Sequence, residues 1–137
     1  MSGRVPLSSP ELRAFWTERH LCTLTTLRAD GSPHVVAVGA VLSPDDGLAR
    51  VISSRTSAHV RHIQAGATRV AVCQVDGARW STVEGIATIE SDPASVQLAE
   101  RLYAERYRVP RPNPARVAIV VEVSRVLGAG SLIPPAG

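Results

Sequence analysis

The sequence predicts a mainly β fold, a small antiparallel barrel carrying a few short helices. Three observations support this. About six runs are rich in Val, Ile and Thr, Asp-Gly or similar turns join neighbouring runs, and the strand-helix-strand alternation that a parallel sheet requires is absent. At 137 residues the chain is one domain by size, spanning 1–137, with 1–8 and 129–137 expected as loose tails. A chain this short needs a second copy to enclose a large ligand, so a homodimer is the expectation.

The elements follow in order. Ser9-Pro10-Glu11 opens a helix, with Ser as N-cap and Pro at the first helical position, and Leu12, Phe15 and Trp16 mark its apolar face. A strand from His20 to Arg28 turns through Asp30-Gly31 into a second from His34 to Leu42. That second run is apolar at both parities, which predicts cover on both faces. Pro44-Asp45-Asp46-Gly47 turns the chain into a third strand that ends in Ser53 and Ser54. A helix follows, with Val60, Ile63 and Ala67 on its core side and Arg55, His59 and His62 along its wet edge. The fourth strand, Arg69 to Val75, reaches a turn at Asp76-Gly77-Ala78-Arg79. The fifth, Trp80 to Glu90, alternates Val83, Gly85, Ala87 and Ile89 against Thr82, Glu84, Ile86 and Thr88. Asp92 and Pro93 start a helix whose Ala99, Leu102, Tyr103 and Arg106 share a face and which stops before Pro110. After the rigid link Arg111-Pro-Asn-Pro114, the last strand, Arg116 to Val126, points Val117, Ile119, Val121 and Val123 inward.

Composition removes several functions. All 15 basic residues are arginine, so no lysine is available for Schiff-base chemistry, and planar recognition of phosphate or carboxylate is favoured. The net charge of +3 suits an acidic ligand, but the arginines are scattered and aromatic residues are few, which makes nucleic-acid binding a weak alternative. Cys22 and Cys73 lack metal or redox spacing and read as thiols in a reducing, cytoplasmic compartment. Neither a signal sequence nor an apolar run of membrane-spanning length is present. There is no nucleophile elbow, no Walker pattern and no third ligand beside His59 and His62 for a metal.

The most informative segment is Arg50 to Ile63, where a short apolar strand runs into hydroxyls, arginines and histidines at a helix start. Ser53, Ser54, Arg55, Thr56 and Ser57, with Arg61 one turn further in, predict an anion cradle. His34, at the start of a strand, reads equally as a rim residue or a ligand contact, and Trp80 as packing or as a platform for a flat ring. With a cradle and no acid/base pair, a bound cofactor is expected to perform the chemistry while the protein positions it.

The run Leu24 to Gly39, with Asp30-Gly-Ser-Pro33 leading into an apolar strand, resembles the opening hairpin of the pyridoxamine-phosphate-oxidase-like split barrels. Ser53 to Ile63 falls where that superfamily holds its cofactor phosphate, and Val75 to Gly85 resembles its next cofactor strand. Within the superfamily, Trp80 after Asp-Gly-Ala-Arg and the segment Tyr103 to Pro114 are similar to the flavin/deazaflavin oxidoreductases of the B group, in particular the coenzyme F420-dependent biliverdin reductases. The chain lacks the Trp-x-Arg-Leu-x-Pro type ending of pyridoxamine phosphate oxidases proper. The resemblance implies a split β-barrel homodimer with the cofactor at the subunit boundary, and hydride transfer from reduced deazaflavin to the central methine of biliverdin, giving bilirubin. It implies cofactor contacts from His34, Val35, Val36, Ser53, Ser54, Arg55, Thr56, Ser57, His59, Arg61, Gly77, Ala78 and Trp80, and substrate contacts from Arg116 and Arg125 to the bilin propionates. It implies no catalytic side chain and no metal. Where many relatives carry lysine this chain has His59. FMN in place of F420, and a non-enzymatic flavin or tetrapyrrole binder, are the competing readings.

Overall fold

The computed structural model describes residues 2–135. Its elements are β1 (Ser2–Arg4), α1 (Pro10–Thr17), β2 (Cys22–Leu27), β3 (Pro33–Val38), β4 (Ala40–Ser43), β5 (Leu48–Ser54), α2 (Ala58–Gln64), β6 (Arg69–Asp76), β7 (Arg79–Glu90), α3 (Pro93–Arg106) and β8 (Arg116–Ala129). The strands form one curled antiparallel sheet in the order β3-β2-β6-β7-β8-β5-β4, with β1 added alongside β8. The predicted barrel with short helices is what is observed, with eight strands in place of about six.

One extra strand comes from the apolar run after His34. It breaks at Gly39, and its halves lie at opposite edges of the sheet, β3 at one end and β4 at the other. The chain crosses there beneath α3, so close that a Cβ on Gly39 would stand 2.6 Å from Cε2 of Tyr103. The expected cover on both faces is not found within one chain. His34, Val36 and Val38 are half-buried on the inner side, whereas Val35 is 57 % exposed on the outer side.

The ends are another departure from expectation. Residues 1–8 and 129–137 were expected to be loose, yet Ser2, Gly3 and Arg4 pair with Ala129, Gly128 and Leu127. The Ser9 hydroxyl donates to the Leu132 carbonyl at 2.6 Å, and Leu132 itself is buried. Backbone pairing and an apolar anchor therefore hold both ends. Met1, Ala136 and Gly137 lie outside the described residues.

The core is filled by Leu12, Phe15, Leu24, Val51, Val72, Val83, Ile119 and Val121, the inward parities of their elements. Ala118 and Val120, of the other parity on β8, pack with Ala99 of α3. At the C-terminal end of α3 the buried guanidinium of Arg106 donates to the carbonyls of Glu18 (2.7 Å) and Ala40 (2.5 Å) and to Oε1 of Gln74 (2.5 Å). Gln74 in turn donates to the Phe15 carbonyl at 2.8 Å. The next residue, Tyr107, donates to the His20 carbonyl at 2.7 Å, and burial, then the nearby Cys22 thiol, pushes its hydroxyl up to about 12. It therefore stays a donor throughout the neutral range.

These contacts predict that Arg106→Ala, which strands several buried acceptors, costs on the order of 3–5 kcal/mol in a urea titration. Gly39→Ala, which must displace Tyr103, is expected to cost about 1–3 kcal/mol.

Candidate functional site

The site is assembled where β5 hands over to α2. Ser54 aligns with Arg116 of β8, the Arg55 N–H donates to the Ala115 carbonyl at 2.9 Å, and Asn113 Nδ2 donates to the Ser54 hydroxyl at 2.7 Å. These bonds fix the turn and leave Arg55 and Thr56 exposed at its tip. Asn113 was not singled out from sequence. Its place in a Pro-Asn-Pro link was the available signal.

The expected helix N-terminal cradle needs correction in one respect. Helix α2 has only seven residues and Ser57 makes no side-chain cap, so its dipole contributes little. The Ser53 hydroxyl meets His59 Nε2 at 2.7 Å and Ser57 Oγ at 3.3 Å. Among the described residues Arg55 and Arg61 make no ion pair.

A histidine cluster completes this pocket. The β2–β3 hairpin aligns His34 with Thr26, and the Thr26 hydroxyl meets His62 Nδ1 at 2.9 Å. The ring of His34 lies 5.1 Å from that of His62, edge-on, and 6.3 Å from that of His59. Its Nδ1 is buried without a hydrogen-bond partner. Burial, with His34 and His62 nearby, holds His59 below the usual imidazole range. Burial likewise lowers His62, helped by His34, Arg28 and Arg61. Among the described residues the charged groups acting on the two rings are imidazoles and arginines. The i, i+3 pair His59 and His62 was visible in the sequence, but its meeting with His34, Thr26 and Arg28 was not. Counting back across the Asp30-Gly31 turn pairs Thr26 with His34, which was the missed clue.

Val35 and Val36 lie on β3, which has a strand neighbour on one side only and so leaves edge backbone groups beside His34 for a flat ligand. Val36 packs on the core and Val35 faces outward. Gly77, Ala78 and Trp80 are not brought to this pocket within one chain. They occupy the β6–β7 hairpin, whose Gln74 and Ser81 align with the Cys22 end of β2, while His34 aligns with Thr26 four residues away. That is about 13 Å along the strand. Trp80 is half-buried in an open hollow with Ser2, Ala78, Ala129, Gly130 and Ser131.

The two expected substrate arginines fare differently. Arg116 is held by Glu100 at 2.8 Å with its side chain 11 % exposed, which corrects the expectation of a free partner for propionates: burial against α3 has turned it inward. Arg125 is exposed on the outer sheet face, 3.6 Å from Glu84, in a groove with Leu27, Arg69 and Ile86. Elsewhere, Glu18, His20 and Asp76 come together around Arg79, and the Arg79 bridge, then His20, holds the Glu18 carboxyl down at about 2.

A curled antiparallel sheet with a histidine cluster held between a β hairpin and a strand-to-helix turn defines a split-barrel protein. Residues 8–129 match the pyridoxamine 5'-phosphate oxidase family, and the chain belongs to that family. It is 52% identical over 126 residues, 91% of this chain and 90% of the relative, to a protein named F420H(2)-dependent biliverdin reductase from Mycobacterium tuberculosis (strain CDC 1551 / Oshkosh). Among solved structures, an F420 reductase superposes with a TM-score of 0.68 at 24% identity, covering 83% of this chain and 94% of the other. A conserved hypothetical protein from Mycobacterium tuberculosis superposes at 0.77 with 21% identity, covering 98% and 94%. General Stress Protein 26 from Bacillus anthracis str. Sterne gives 0.69 at 20% identity, covering 86% and 90%. These structures share the fold.

Arg116→Ala is predicted to lower the melting temperature, because it leaves Glu100 unpaired in a confined place, while leaving substrate KM unchanged. A raised KM at normal stability would restore Arg116 to the substrate site.

Proposed function

We propose that this chain is a coenzyme F420-dependent oxidoreductase that reduces a conjugated tetrapyrrole of the biliverdin type, working as a homodimer in the cytoplasm. The observation that carries the reading is the joint presence of a cluster, among the described residues, of histidines, hydroxyls and unpaired arginines and 52% identity, over nine-tenths of both chains, to a protein named for that activity. The donor set fits the coenzyme. Exposed Arg55 and Arg61, the hydroxyls of Ser53, Thr56 and Ser57, and the partnerless Nδ1 of His34 answer a phosphate and a chain of carboxylates. When bound, the reduced deazaflavin supplies a hydride and, having carbon at position 5, resists reaction with oxygen.

The chain's own contribution is binding and orientation. The edge of β3 at Val35 and Val36 offers backbone hydrogen bonds to a ring system, and the pocket's arginines and hydroxyls fix the anionic end. Arg125, on the open outer face, is the remaining arginine from the expected pair able to meet a propionate. No side chain is assigned as proton donor, so water held in the cleft serves.

The homodimer reading has its own support. Leu27, Val35, Val75 and Ile86 are 38–60 % exposed on the outer side of β2, β3, β6 and β7, a larger apolar surface than single scattered residues give. A second copy lying on that face also supplies the means of bringing Gly77, Ala78 and Trp80 to a pocket they do not reach in their own chain.

The decisive experiment mixes pure protein with reduced F420 and biliverdin and follows bilin absorbance, with FMN and NADPH in parallel. Turnover with F420 alone is expected. Bilin reduction with only FMN or NADPH would overturn the cofactor. Arg55→Ala and Arg61→Ala are each expected to weaken F420 binding about 10-fold in a fluorescence titration, with unchanged circular dichroism. Unaltered affinity in both would move the cradle elsewhere.

A further inference from the structure

We propose that His34, His59 and His62 form a proton-linked anion site, in which binding of the coenzyme's phosphate group draws about one proton onto the histidines and affinity rises as the pH falls. This rests on the reading that the cradle holds F420. It goes further in assigning the cluster a titrating role that arginine alone does not have.

The geometry comes first. Two of the rings are anchored on one nitrogen each, His59 Nε2 by Ser53 and His62 Nδ1 by Thr26. Those hydroxyls come from two different strands and set the ring planes. The opposite nitrogens, His59 Nδ1 and His62 Nε2, have no hydrogen bond to another described residue. His34 stands between them, its Nδ1 enclosed and without a partner. A buried imidazole nitrogen without a partner is costly to keep, and a bound anion would satisfy it once that nitrogen carries a proton.

The surroundings explain why His59 and His62 take up protons less readily before binding. On β3 the facing group is His34 itself, and just beyond the end of β2 it is Arg28. On α2 it is Arg61, beside His62. β5 offers the Ser53 hydroxyl, and the carboxylates of β7, Glu84 and Glu90, act on neither ring. Beyond Arg28 the nearest named carboxylate is Asp30, which acts with that arginine and not on the rings, so protonating one imidazole sets like charges side by side and lowers its proton affinity. A phosphate bound among them supplies the missing negative charge and raises it. Folded and free, His59 and His62 bind protons less readily than in the unfolded chain. The stability this neutrality allows is present above about pH 6.5 and is lost as the pH falls through their lowered values. In the complex the sign reverses, so free-protein stability and coenzyme affinity move in opposite directions over the same interval.

A lysine in place of His59 would hold its charge at any neutral pH and show neither trend. The histidines thus act as positioning residues whose charge is conditional on the ligand.

The test is calorimetric titration of the full chain with F420 from pH 5.5 to 8, in buffers of different ionisation enthalpy, comparing wild type with His34→Gln and His59→Gln. Wild type is expected to bind about 5- to 10-fold tighter at pH 6 than at 7.5, with up to about one proton taken up. Each variant should lose most of that slope, while Arg55→Ala weakens binding with the slope intact. The coenzyme's own ionisations are common to all the proteins, so the difference between them belongs to the histidines. Imidazole proton shifts followed by NMR give a second readout, and pKa values that rise on adding F420 are expected. Equal slopes in wild type and both variants, with normal affinity, would overturn the proton link and leave the F420 reading standing. Absence of F420 binding at every pH would overturn both.

Discussion

The Arg106 guanidinium ties together parts of the chain that no strand pairing connects. It is buried without a carboxylate partner, and its charge is spread over the Glu18 and Ala40 carbonyls and the Gln74 amide, with the rings of Trp16 and Tyr107 at 5.3 and 5.2 Å. Charge-assisted bonds to neutral acceptors cost less desolvation than a buried ion pair and still satisfy groups that would otherwise be stranded. The consequence is topological. The end of α1, the start of β4 and the last part of β6 are held at one point, which is where the chain leaves one edge of the sheet at Gly39 and begins the other. With that crossing held, β3 remains an edge strand, and its free backbone faces the pocket.

The pocket follows the opposite electrostatic rule. At Arg106 positive charge is dissolved among carbonyls, whereas between β3 and α2 it is gathered, with Arg28 and Arg61 acting on His62 and Asp30 as the carboxylate beside Arg28. Burial and the neighbouring imidazoles lower the proton affinity of His59 and His62, and the heads of Arg55 and Arg61 reach water.

What the sequence disclosed, and what it hid, divides along the range of the interactions. Helix caps at Ser9 and Asp92, the Asp30-Gly31 hairpin and the parity of β7 are local, and each stands as expected. The break at Gly39 depended on Tyr103, 64 positions later, and could not be read from a run apolar at both parities. Arg116 looked like any strand-start arginine, and Glu100 of α3, which holds it, became its neighbour only through the packing of α3 on β8. The ends were misjudged for a related reason: Gly and Pro in residues 128–135 signalled mobility, but strand pairing with β1 and the buried Leu132 decided otherwise. Within the pocket the hydroxyl and arginine run was legible as it stood. The histidine cluster was half legible, since two members lay on one helix and the third arrived through hairpin register.

Trp80 is the residue on which the proposed dimer and the proposed chemistry meet. Its strand places it on the outer side, near the hairpin tip and about 13 Å along the sheet from His34, so within a single chain a cofactor ring on the β3 edge and the indole belong to different places. The apolar outer residues Val35 and Val75 lie at those two ends of the same face. In the proposed homodimer a two-fold axis through that face would exchange the ends, setting the Trp80 hairpin of one copy against the β3 edge of the other. The exposed valines, the unpaired edge and the distant tryptophan are then one feature. On the proposed dimer each half-site is completed by the other copy, and burial of the apolar face on association supplies the energy that brings them together.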